Sequence, residues 1–349
     1  MRNLIIGRTL PAAALFALLW ASAAAAVPTF TVNDTSDLVD DDVADAVCHT
    51  AAGTCTLRAA VMQANRADGL GAIIVLPAGT YVLTLPPTGA DGEDSGDLDM
   101  TTPASGDPLI TLQGAGEANT IIDANRLDNV LRVHASRTVT ILGVTMRGGS
   151  ATGDGGGIFN EGYLALQHVR LTGNTAQAGG AINNLGQLIA VRCAFTANIA
   201  SLSGGAIQNN GTAHISLSTL AFNTAAYGGG IENYADLTLI DSTLAGNEAT
   251  KDGGGITALG SPGVVTNIYS STIAFNDADE DRDGVGSGGG IYLGAGSSGS
   301  GLFAIRNTLV TGNTVGNTPI YDDCTVESGT VLYSYGRNLL GTSDGCAIV

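Results

Sequence analysis

The sequence predicts an all-β protein, a single-stranded right-handed parallel β-helix with a short N-terminal helical cap. Three observations predict it. Two short landmarks recur at a near-constant step, the residues between them alternate apolar and polar, and the 349 residues hold 50 glycines but only 5% aromatics. Short strands joined by many tight turns suit that composition, whereas a helical bundle or a doubly wound sheet does not.

The first landmark is the isoleucine that closes GGGI or GGAI. It stands at Ile158, Ile182, Ile207, Ile231, Ile256 and Ile291, with steps of 24, 25, 24, 25 and 35. The second is the asparagine of LTGN, FTAN, LAFN, LAGN, IAFN and VTGN, at Asn174, Asn198, Asn223, Asn247, Asn276 and Asn313. Both keep one step through the middle of the chain and separate only where the last two repeats carry insertions, as a repeat architecture requires. Between them Leu164, Leu166 and Leu171 in one repeat match Leu188, Ala190 and Phe195 in the next, and their period of two is that of a strand with one face turned inward.

A unit this short, with two or three strands, cannot bury its own apolar face. Stacking copies in parallel, about 4.8 Å apart along an axis, solves that. A propeller blade would need about 40 residues, and a leucine-rich repeat would show a helical half. The glycines then act as corners that supply positive φ and close coil approach. The landmark asparagines are expected to take the left-handed conformation at another corner and to pass their amides up the stack as a ladder. Asn160, Asn184, Asn209 and Asn233 form a second column, and Val169, Cys193, Ser218, Ser242 and Ser271 a third, of small or β-branched residues. Cys193 is therefore expected to be a buried small residue, not a nucleophile.

In chain order, residues 1–26 read as a signal peptide: Arg2 and Arg8, an apolar stretch from Ala12 to Ala21, and Ala24-Ala25-Ala26 before the cut. A retained anchor would need about 18 or more apolar residues, and no later segment is long enough to span a bilayer. Cleavage leaves 12 basic against 32 acidic residues, a net charge of −20, with Lys251 the only lysine. That balance argues against nucleic acid and anionic membranes as partners and favours a hard cation such as Ca²⁺. A soluble monomer is expected.

Residues 27–70 should form the cap, with Leu57, Ala60, Val61 and Ala64 on one helical face, Thr54 as N-cap, and a Cys48–Cys55 disulfide pinning it. Residues 71–150, opening with IIVLPAGTYVLTL, read as less regular first coils, and residues 151–320 as the regular array. Cys324 and Cys346 should bracket the terminal segment, residues 321–349. Loop-closure entropy gives about 2.5 kcal/mol for the first disulfide and about 3.4 kcal/mol for the second.

The stretch TFTVNDTSDLVDDD followed by GTCTLRAAVMQANRADG resembles the N-terminal CSLREA domain of bacterial secreted proteins. IIVLPAGTYVLTL is similar to the opening strands of pectin-lyase-like β-helices. The GGAI and F-x-x-N elements resemble those of chlamydial polymorphic outer-membrane proteins, and DDCTVESGTVLYSYGRNLLG resembles the end of choice-of-anchor β-helix proteins. These resemblances imply fold and export, to the extracellular space or the cell surface. GCAIV stands where such relatives carry a translocating barrel or a sorting signal, so a free secreted form or a fragment is expected.

The pectin-lyase-like resemblance also implies polysaccharide cleavage. Lyases on that scaffold use clustered carboxylates, Ca²⁺ and a basic residue, and its hydrolases carry N-T-D, D-D, G-H-G and R-I-K motifs on successive coils. Only the Asp322-Asp323 pair stands here. One outward column, six positions before the asparagine, holds His168, Arg192, Leu217, Asp241, Ser270 and Asn307. Stacking would place His168 about 5 Å from Arg192, with Asp241 two coils on; a sugar-binding or acid-base column can be drawn from this, but Leu217 interrupts it, and the expectation is a mixed solvated face. Asp279, Asp281 and Asp283 before Gly284 reproduce half of a D-x-D-x-D-G calcium loop, but Gly290 at its twelfth position excludes an EF-hand, which leaves weak extracellular calcium binding or a simple acidic, mobile loop. DGEDSGDLD, residues 91–99, lacks that spacing. The expectation is a non-enzymatic adhesion or binding module whose partners are extracellular polysaccharides or surface proteins. The alternatives are a polysaccharide lyase or glycoside hydrolase, and a plain structural spacer.

Overall fold

The computed structural model describes residues 26–349 except 68, 70, 89–91, 103–105, 107, 296–300, 317–319, 343–344 and 347–348. The signal-peptide segment, apart from residue 26, lies outside the described residues. The chain is a right-handed parallel β-helix. Each regular coil contributes a strand to each of four sheets, of 9, 11, 10 and 7 strands among the described residues. One coil runs through Ile182–Asn184, Gln187–Val191, Ala194–Thr196 and Ile199–Ser203, in that order of sheets.

The landmark step is the hydrogen-bonding register. Ile158 pairs with Ile182, then Ile207, Ile231, Ile256 and Ile291 in turn. All six are fully buried, and fully burying such a side chain is worth about 1.5–3 kcal/mol. Leu164, Leu166 and Leu171 lie in the same core with their stacked copies. The long last repeats spend their extra residues between strands and leave the register intact, with Ile256 still opposite Ile291 and Val265 opposite Leu302.

The corners divide the labour of the glycines. The first glycine of each cluster takes positive φ, as Gly204 (φ 60°) and Gly228 (φ 61°) show. The second permits close approach: a Cβ on Gly229 would stand 2.4 Å from the carbonyl oxygen of Glu248. The asparagine corner differs from expectation by one residue. The left-handed residues are those just before the asparagines, such as Gly173 (φ 65°), Ala197 (φ 54°) and Phe222 (φ 57°). Each asparagine instead points inward, fully buried. A left-handed residue turns the chain so that its successor's amide faces the stack, which is why the ladder forms although the corner sits one position earlier.

That ladder is continuous. Asn174, Asn198, Asn223, Asn247 and Asn276 each donate Nδ2–H to the next asparagine's Oδ1 at 2.8–3.0 Å, and each backbone N–H bonds the same oxygen. It ends on a carboxylate: Asn313 donates to Asp323 Oδ1 at 2.8 Å, and Thr342 N–H holds Oδ2 at 2.7 Å. Half of the Asp322-Asp323 pair is therefore the terminus of a structural ladder. The second asparagine column forms its own ladder from Asn160 to Asn233 and ends on Thr266 Oγ1. In the third column the Ser218 hydroxyl accepts from Cys193 N–H at 3.0 Å, and the Cys193 thiol donates to Val191 carbonyl at 3.4 Å.

Both ends are covered, as an open stack requires. The helix Leu57–Asn65 is capped by Thr56, whose hydroxyl accepts from Ala59 N–H at 3.2 Å; Thr54 instead bonds Asp34 at 2.8 Å. Thr56 wins because it is the last extended residue before the helical turn. Arg58, fully buried, pairs with Asp37 at 2.7 Å and donates to the Gly96 and Asp97 carbonyls, which ties the helix to the first coil. Cys48–Cys55 and Cys324–Cys346 are bonded. At the other end Cys324–Val326, Leu332–Ser334 and Leu339–Leu340 add one more coil, and Ile320–Tyr321 closes the seven-stranded sheet in antiparallel pairing. No helix among the described residues is long and apolar enough to cross a membrane.

Candidate functional site

The sequence singled out two places, and the structure adds a third. The column of His168, Arg192, Leu217, Asp241, Ser270 and Asn307 is a corner, not a sheet face. Every member is left-handed, with φ between 48° and 54°. Asn, Asp and His tolerate that conformation, so backbone geometry accounts for much of the column's composition. His168 also borders an open depression of about 500 Å³ with Glu117, Gln113 and Gln167. Arg170 reaches Glu117 at 3.5 Å beside it.

Asp279, Asp281 and Asp283 do converge, with ligand oxygens all within 4.8 Å of one another. Asp279 is buried and the other two are exposed. Part of their capacity is already used, since Asp279 Oδ1 accepts Gly284 N–H at 3.1 Å and Asp283 Oδ1 accepts Val285 N–H at 2.8 Å. The free oxygens suit a hard cation, and the backbone bonds suit a turn that holds itself.

The third place is the outer face of the nine-stranded sheet. The residue after each landmark isoleucine, and Arg132 one coil earlier, faces away from the core, and register stacks these residues one per coil: Arg132, Phe159, Asn183, Gln208, Glu232, Thr257 and Tyr292. Arg132 pairs with Glu161 at 3.0 Å and lies 5.1 Å from the Phe159 ring centroid. Asn183 Nδ2 donates to Gln208 Oε1 at 2.6 Å. Tyr234 donates its hydroxyl to Glu232 at 2.8 Å, and Tyr292 donates to Glu327. Asn183 and Glu232 are both 1% exposed, and Asn183 Oδ1 and Glu232 Oε2 have no hydrogen-bond partner.

Burial pushes the Glu232 carboxyl above its ordinary value, against the lowering hydrogen bonds of Ser203 and Tyr234. Burial also raises Asp252, with the Glu327 charge adding to it. The Tyr292 phenol is pushed up by burial first, then by Glu327 and the Asp252 charge. The face carries amides, a carboxyl, a phenol and aromatic rings in one row. Arg132 lies four register steps from Glu232, about 19 Å away.

No protein-family model matches the chain, and no curated protein is similar to it in sequence. Solved structures do resemble it. It is similar to pectate lyase Pel9A, with 16% identity over 93% of this chain and 79% of that one and a TM-score of 0.49. It is also similar to a pectin methylesterase from carrot, at 12% identity over 84% and 81% of the two chains, TM-score 0.42. A third is the A-module of the mannuronan C-5 epimerase AlgE4 of Azotobacter vinelandii, at 16% identity over 91% and 96%, TM-score 0.40.

The row of the nine-stranded face was missed from sequence because its residue type changes at every coil. One signal was present. The position between the isoleucine and the second asparagine column must face outward by the period of two, and it carries Asn, Gln and Glu in three successive repeats.

Proposed function

We propose that the protein is exported and binds an extracellular polysaccharide along the outer face of the nine-stranded sheet. The row from Phe159 through Asn183, Gln208 and Glu232 to Thr257 and Tyr292 carries this reading. One polar or aromatic side chain per coil repeats at about 4.8 Å, roughly the length of one pyranose unit in an extended chain, with Phe159, Gln208 and Tyr292 partly exposed and Asn183, Glu232 and Thr257 buried between them. Amides, a carboxyl and phenols match sugar hydroxyls, and aromatic rings match the apolar faces of the sugar. The unpartnered oxygens of Asn183 and Glu232 are acceptor capacity on this face that the folded chain leaves unused, and Tyr234 donates to the other oxygen of Glu232. The two disulfides fit an oxidising compartment.

The test is a glycan array probed with the exported chain and with Tyr234→Ala and Tyr292→Ala variants. Binding by the parent chain and its loss in the variants is expected. Unchanged binding in both variants moves the site elsewhere, and depolymerisation of a bound polysaccharide replaces the binding reading with an enzymatic one. Running each array with calcium and with chelator assigns a role to Asp279, Asp281 and Asp283.

A further inference from the structure

A different edge carries the second inference. At the corner between the 10- and seven-stranded sheets, the left-handed position is glycine in three coils, at Gly173, Gly246 and Gly312, and alanine at 197, but phenylalanine at 222 and 275. Both phenylalanines have φ 57°, a conformation that bulky residues rarely adopt. Their side chains are not packed into the core: Phe222 is 70% exposed and Phe275 is 72% exposed. Each instead leans over the corner glycine of the next coil. A Cβ on Gly246 would stand 2.8 Å from Cε1 of Phe222, and one on Gly312 2.9 Å from Cε1 of Phe275. Strain plus exposure of a large apolar ring, twice, is a cost without a return in the folded chain alone.

The two rings are two coils apart, about 9.6 Å. That length is the repeat of a β-1,4-linked chain with twofold twist, which presents the same CH-rich sugar face at every second residue. Beside the rings the seven-stranded sheet presents Thr224, Glu248 and Asp277 in register. These accept and donate to hydroxyls, and the carboxylates repel uronate polymers. Beyond Phe275 the edge continues into a depression of about 550 Å³, lined by Thr311, Thr314 and Tyr321, the last 57% exposed.

We propose that Phe222 and Phe275 form a stacking edge for a neutral β-1,4-linked glycan chain. The edge is separated from the nine-stranded face by the seven-stranded sheet, and the inference does not rest on that face. Titration of the full exported chain with cellohexaose, chitohexaose, laminarihexaose (β-1,3-linked) and polygalacturonate tests it, with Phe222→Gly, Phe275→Gly and the double variant beside the parent. Glycine already occupies this column in other coils, so the variants are expected to fold. Saturable binding of a β-1,4 hexasaccharide, weakened about tenfold per ring removed and lost in the double variant, is the expected result. No binding of either β-1,4 hexasaccharide overturns the inference, as does equal affinity for laminarihexaose or for polygalacturonate. Undiminished binding in the double variant together with loss in Tyr234→Ala overturns it as well, while leaving the nine-stranded face as the glycan site.

Discussion

Two neighbouring columns at one corner behave in opposite ways. The asparagines from Asn174 to Asn313 recur in every regular coil and are fully buried, while the residues just before them run Gly173, Ala197, Phe222, Gly246, Phe275 and Gly312 and lie on the outside. The inner column is fixed because each asparagine satisfies backbone and side-chain groups of two coils, as Asn223 does for Asn198, Phe195 and Asn247. The outer one must only be left-handed. Where the cheapest answer is glycine, a phenylalanine asks for another explanation. The fold constrains what faces in, and the departures from economy face out.

The sharpest way to break the frame that supports both columns is Gly229→Val. Its Cβ would meet backbone atoms at 2.4 Å, so coils must move apart; a loss of about 4 kcal/mol or more, or failure to fold, is expected in thermal unfolding. Next is the inner column itself. Asn223→Ala leaves buried partners unpaired in two coils and should cost about 3 kcal/mol, read as a shifted denaturant midpoint at constant slope. A loss under about 1 kcal/mol would mean that the ladder is incidental.

A smaller effect concerns Glu232, whose folded carboxyl titrates above its ordinary value. The sign follows from linkage: the folded state binds the proton more tightly, so this group favours folding at low pH and loses that contribution as pH rises through the unfolded value toward the folded one. Glu232→Gln should therefore raise the melting temperature near pH 7 and leave it unchanged near pH 3, where both states are protonated. A gain that persists unchanged at the acid end would assign the effect to packing. The smallest expected signal is at Cys193. Burial pushes its thiol to about 11, and a native-state thiol reagent should leave it unmodified until the chain is unfolded.

Much of this was legible in the sequence because the fold repeats. Two landmarks in step gave the register from Ile158 to Ile291, and the period of two gave the buried faces of Leu164, Leu188 and Leu237. What was not legible is local. Nothing in LTGN or LAFN says which of two adjacent residues takes positive φ, and asparagine tolerates that conformation as well as most residues beside it. Thr54 and Thr56 flank a cysteine and both can cap; only the backbone path decides. Arg58 in CTLRAA lies on a helix whose apolar residues suggest one buried face, yet its guanidinium is enclosed by Asp37 and three carbonyls supplied by residues far along the chain. The nine-stranded face was invisible for the opposite reason: its residues vary, and variation carries no period.

The comparison between the two columns turns on one stability measurement, the denaturant unfolding of Phe222→Gly/Phe275→Gly beside Asn223→Ala. If the outer column is free of structural duty, the double variant stays within about 1 kcal/mol of the parent, because relief of the left-handed strain offsets the added freedom of glycine in the unfolded chain, while Asn223→Ala falls by about 3 kcal/mol. A double variant that loses as much as Asn223→Ala would show that the phenylalanines hold the stack together, and the division between inner and outer columns would be wrong.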